Sequence, residues 1–124
     1  MSKTTRILTS NVPGLEPTDY IPVDGIKSGT PNEHGRSFYA DQTGQFDAGY
    51  WECDVNKHHI AASPYDEFVY LLEGQIDVIH DDGSVESYKT GDSFIMPRDC
   101  NCTWDVKAPV RKLYVVLTAE AYQG

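Results

Sequence analysis

The chain has 124 residues, room for one domain around a single core and too few for two independent ones. Ten Lys and Arg against nineteen Asp and Glu leave a formal net charge of -9, which repels the phosphate backbones of nucleic acids and anionic lipid surfaces alike. Neither is expected as a partner. No apolar run approaches the roughly twenty residues of a membrane span, and the first ten residues lack the apolar stretch of a signal peptide, so a soluble, cytoplasmic protein is expected.

The first segment, residues 1–33, mixes Pro13, Pro17, Pro22 and Pro31 with glycines and polar residues, a composition that supports a short strand or two at most. It is expected to be an arm that packs on the rest of the chain or reaches a partner subunit. Residues 34–124 form the second unit, a β-barrel. Its runs of Val, Ile, Tyr, Phe and Trp are short and separated by turn residues, and no helical pattern appears between Arg36 and Thr118.

Strands are expected at Phe46–Cys53, at Glu67–Leu72 with Glu73-Gly74 as a closing turn, and at Gln75–His80. Asp82-Gly83 marks a hairpin, because glycine tolerates the positive φ such turns demand, and Val85–Tyr88 returns from it. Thr90-Gly91-Asp92 is a second tight turn, in which Asp92 serves to accept backbone N–H groups. Ser93–Met96 follows, then a turn at Pro97-Arg98-Asp99, a strand at Asn101–Val106, an interruption at Pro109 and a last strand at Arg111–Thr118. His58-His59 reads as part of a loop. Short antiparallel strands without crossover helices hide their edges by closing on themselves, which a jelly-roll barrel achieves. Cys53, Cys100 and Cys102 are odd in number and lack CxxC spacing, as suits free thiols in a reducing compartment.

Four blocks then occur in a recognisable order: Gly49-Tyr50-Trp51-Glu52, Asp66 through Gly74, Gly91 through Pro97, and Thr103-Trp104-Asp105-Val106 with Arg111 through Tyr114. Together they resemble the cupin superfamily, in particular its small single-domain branch related to (S)-ureidoglycine aminohydrolase and the ethanolamine-utilisation cupin. The resemblance implies an all-β, single-domain double-stranded β-helix, a jelly-roll barrel. It also implies a homodimer in which strands of the N-terminal segment pair across the interface.

Metal-dependent members of that superfamily hold a divalent transition metal with two histidines one residue apart, a glutamate before the first motif's glycine, and a histidine after the second motif's proline. Glu67 stands at the glutamate position. Ile60 and Ala62, or Ala61 and Ser63, stand at the paired histidines, and Cys102 at the last one. The candidate metal ligands are therefore Glu67, His58, His59 and Cys102, with a metal-free pocket as the alternative. Adjacent histidines on an extended segment point to opposite faces, so one of the two at most faces the pocket.

Alternation puts Glu67 on one face with Val69 and Leu71, where a carboxylate needs a partner: a metal, a ligand, or a donor such as Lys112, Arg111 or a tyrosine. The candidate ligand-binding residues are Tyr50, Trp51, Glu67, Cys102 and Trp104, of which Tyr50 and Trp51 lie on opposite faces of one strand; Tyr70 and Tyr114 are further aromatic candidates. Glu67 is the candidate catalytic residue, as metal ligand or general base. Three functions remain open on sequence alone: an enzyme of small-molecule metabolism, a binding or sensing module for a small polar ligand, and a dimerising structural barrel.

Overall fold

The computed structural model describes residues 3–118; the last part of the expected barrel unit, residues 119–124, lies outside the described residues. Nine strands form one curled antiparallel sheet: β1 (Glu16–Pro17), β2 (Ile26–Gly29), β3 (His34–Ala40), β4 (Phe46–Cys53), β5 (Asn56–Ile60), β6 (Tyr65–His80), β7 (Val85–Lys89), β8 (Ser93–Met96) and β9 (Cys102–Thr118). A single 3₁₀ turn at Val23–Gly25 interrupts them, and among the described residues there is no α-helix, hence no helix long and apolar enough to cross a membrane. The all-β jelly-roll expectation holds.

Two long strands, β6 and β9, are the spine of the fold. Along one edge β9 pairs first with β5 and then with β4; along the other it pairs with β6 for nearly its whole length. β6 in turn carries β8 on its first half and β7 on its second. The expected breaks in both spine strands, at Glu73-Gly74 and at Pro109, are corrected by the structure. The register of the β6–β9 ladder shifts between Leu71 and Ile76, opposite Ala108–Arg111, so the glycine and the proline sit together at a bulge. Gly74 has φ +122, and a Cβ there would meet the Pro109 carbonyl at 2.8 Å. Proline, lacking an N–H, fits a sheet where the ladder is already broken. These two residues fold the sheet over on itself; they do not end it.

Inward positions build the core. Val69, Leu71, Ile76, Val106 and Val110 are fully buried, with Trp51 and Trp104 against them. The turn at Gly91 has φ +94, and Asp92 accepts the Lys89 N–H at 2.9 Å, the role expected of it. The segment up to residue 33, in which a short strand or two is expected, contributes β1 to the edge of β3 and β2 to the edge of β5. Further upstream, the Thr9 carbonyl accepts from Arg111 and the Pro13 carbonyl from Arg36.

Candidate functional site

The core fills only part of the barrel. The remainder is a cavity of about 500 Å³. Its inner end is formed by buried Trp51, His58, Glu67, Met96, Trp104 and Lys112, and its rim by Tyr20–Pro22, Gly44, Ala61 and Ser63–Tyr65.

Glu67 and Lys112 dominate the inner end. Leu71, not Glu67, is the cross-strand partner of Lys112, so the lysine stem must run along the inner face of the sheet to bring its ammonium to the carboxylate. Lys112 Nζ stands 2.6 Å from Glu67 Oε2, and the two side chains are 8% and 10% exposed. The ammonium also lies 4.7 Å from the centre of the Trp51 ring and 5.0 Å from that of Trp104, distances at which an aromatic face attracts a cation. Two buried charges are tolerated here because each has the other, with ring faces completing the shell of the cation.

His58 enters from β5. The structure corrects its assignment to an exposed loop: Asn56, His58 and Ile60 alternate inward on a strand paired with β9, and His58 is 3% exposed. Its ring tilts against Trp104 at 5.8 Å, and Nδ1 lies 2.6 Å from Asn56 Oδ1. Burial, reinforced by the Lys112 charge, pushes its pKa down to about 4. Tyr65 and Tyr114 add phenols; burial pushes Tyr65 up to about 12 and raises Tyr114 as well. Both rings line the cavity.

Of the candidates that the sequence offers, Trp51, Glu67, Trp104, His58 and Tyr114 therefore meet around one cavity. Four others do not. Tyr50 faces the other side of β4, where its hydroxyl donates to Glu52 at 2.9 Å and accepts from Arg111 at 2.7 Å. His59, pointing opposite to His58, pairs with Asp81 at 3.2 Å. Cys102 is inward but fully buried at the start of β9, its thiol against Cys100, and it does not line the cavity. Tyr70 likewise faces outward and is 39% exposed. Among the described residues no three His, Cys, Asp or Glu side chains gather where they could hold a metal ion. Of the donor set His58, His59, Glu67 and Cys102, only His58 and Glu67 reach the cavity, and the place beside Glu67 is taken by an ammonium, so the residues present do not fit a metal centre of the cupin kind.

Glu33, which the sequence does not single out, supports the cavity from outside its lining. Its carboxylate, 8% exposed, accepts from the Thr18 hydroxyl at 2.6 Å, from the Tyr20 and Ile21 amides at 2.8 and 3.0 Å, and from Trp51 Nε1 at 3.3 Å. This one side chain clamps the part of the N-terminal segment that forms the cavity rim to a tryptophan of its inner end.

A curled antiparallel sheet that encloses a largely apolar cavity with a few buried polar groups has the form of a small cupin barrel. Residues 40–114 match the EutQ-like cupin domain, and the chain belongs to that family. Among solved structures it is similar to a protein of unknown function of the DUF861 family from Pseudomonas syringae, at 21% identity and a TM-score of 0.81 over 89% of this chain. The chain spans 46% of the length of that protein. It is similar also to an ethanolamine utilization protein Q from Salmonella typhimurium (26% identity, TM-score 0.62, 78% of this chain and 76% of that one) and to the EutQ protein of Clostridium difficile (20%, 0.62, 74% and 72%). No curated protein matches the chain.

Proposed function

We propose that the barrel binds a small polar organic molecule in its cavity, using the Lys112–Glu67 ion pair as a built-in polar anchor in place of a metal. The observation that carries this is the pair itself: two opposite charges buried at the inner end of a cavity, where hydrophobic residues of like volume would pack as well or better. A barrel whose role was only structural has no need of charged groups beside an open volume. A concave site with apolar walls and a few convergent polar groups is the usual form of a small-molecule site. Binding without turnover and binding followed by catalysis share this first step.

The test is a thermal-shift and calorimetric screen of neutral and charged metabolites against the wild type and against the double substitution Lys112→Met with Glu67→Gln. Ligands should stabilise the wild type and lose their effect in the double variant while its fold persists. A library that stabilises neither protein, or both equally, would overturn the assignment.

A further inference from the structure

His58 is held in one tautomer. Asn56 Nδ2 donates to the Asp54 carbonyl at 2.8 Å and lies 3.7 Å from Cys53 Sγ, which orients the amide independently of the histidine. The atom that remains to face His58 Nδ1 is therefore Asn56 Oδ1, and an amide oxygen only accepts. The imidazole proton accordingly resides on Nδ1, and Nε2 carries a lone pair. Nε2 has no hydrogen-bond partner among the described residues, yet no buried side-chain nitrogen or oxygen there is left unsatisfied. Since the ring lines the cavity, Nε2 is open to it.

The charges of the cavity wall narrow what could approach. Lys112 is the one Lys or Arg among its lining residues, and Glu67 already neutralises it; Asp47 adds a second carboxylate, and the whole chain carries -9. An anion meets no free positive charge here, and at the inner end, where His58 lies, a cation would meet the Lys112 ammonium. Tyr65 and Tyr114, whose hydroxyls also have no partner among the described residues, supply donors, as does the remaining hydrogen-bonding capacity of Lys112.

We infer that His58 is a ligand-recognising residue whose Nε2 is a fixed acceptor, and that the cavity takes a neutral molecule that donates a hydroxyl or N–H to His58 and accepts from Lys112. The inference rests on the pocket proposed above and names the chemistry of its occupant. The neutrality of the imidazole agrees with its burial. Asn56 is the positioning residue, since it decides which ring nitrogen carries the proton.

The experiment uses the full chain labelled with 15N at histidine. Near neutral pH the free protein should show His58 as the Nδ1–H tautomer, with an unprotonated Nε2. Neutral aldoses and ketoses of three to six carbons and the corresponding aldonic acids are then added at millimolar concentration. The neutral compounds should move the Nε2 resonance upfield and the acids should leave it in place; His58→Asn should weaken the best neutral binder about tenfold, the usual worth of one lost hydrogen bond. A proton on Nε2 in the free protein overturns the acceptor assignment. Acids that bind better than their neutral counterparts overturn the charge argument. Neutral compounds that all fail while charged library compounds still bind overturn the ligand class and leave the pocket standing; failure of every compound, with the tautomer as expected, overturns the pocket itself.

Discussion

Mild acid should destabilise this protein chiefly through His58. The His58 pKa is depressed from an ordinary 6.5 to about 4, because its ring is buried and Lys112 is near. Between those two values the unfolded chain takes up a proton that the native state refuses, so stability is complete above the unfolded value and falls as the pH drops toward the folded one. Across about 2.5 pH units, at about 1.36 kcal/mol per unit, the loss amounts to about 3 kcal/mol. His58 is 3% exposed, so solvent screening takes little from this. The neighbours on the other packed elements do not oppose it: Lys112 on β9 pushes the same way, Glu67 on β6 is committed to Lys112, and Asn56 and Trp104 are neutral. The assay is urea denaturation from about pH 7 to about pH 4.5, comparing the wild type with His58→Asn, which removes the titrating group. The stability gap between the two should change by about 2 kcal/mol by pH 5, in favour of the variant. Asp41 and Asp82, whose pKa values are lowered chiefly by the hydroxyls of Thr43 and Ser84, add acid sensitivity as the pH falls through the carboxylate range, but both proteins carry them and their effect cancels from the gap. Parallel curves for the two proteins would refute the reasoning.

Other perturbations test the remaining contacts. Lys112→Met alone leaves Glu67 buried without its counter-charge and should cost about 3–5 kcal/mol, whereas adding Glu67→Gln should recover most of it; a double-mutant cycle by urea denaturation reads the coupling, and additive losses would contradict it. Glu33→Gln keeps the shape and one acceptor oxygen but sets an NH2 donor against the N–H or O–H groups that the other oxygen accepts, and should cost about 1–3 kcal/mol. Hydrogen exchange should quicken first at the Tyr20 and Ile21 amides, and uniform acceleration across the barrel would count against a local clamp. Cys53 and Cys102 are buried with thiols pushed up to about 12, so a pulse of alkylating reagent followed by peptide mass spectrometry should find Cys100 modified before either.

What the sequence makes legible is what depends on local chemistry. β4 and β8 carry their strand signal in β-branched and aromatic residues bounded by turn residues, and their expected bounds are the observed ones. β5 is hidden, because its inward face bears Asn56 and His58 where a strand is expected to show apolar side chains; the polarity that hides the strand is the polarity of the site. β6 and β9 contain a glycine and a proline that locally signal a turn, and only the pairing of the two across the ladder shows that they share one bulge. Lys112 is one of several partners that the sequence leaves open for Glu67, and choosing it requires the long reach of a lysine along the sheet. Glu33 has no signal of its own, since the amides it binds lie 12 and 13 residues away on an irregular segment.

An ammonium beside Glu67 and a metal ion beside the corresponding carboxylate would both satisfy a buried negative charge, yet they make different sites. A metal offers open coordination positions and can exchange ligands, polarise a bound oxygen and lower the pKa of water. Lys112 offers only directed N–H groups, at a position set by its stem and by two tryptophan faces. The charge here is covalently part of the chain. Chelator treatment should therefore leave both melting temperature and ligand affinity unchanged, while Lys112→Met with Glu67→Gln should abolish affinity in a folded protein. A chelator that lowered affinity, restored by adding back a divalent metal, would mean that the ammonium yields its place to a cation, and the ion pair would then be a closed state of the site and not its working form.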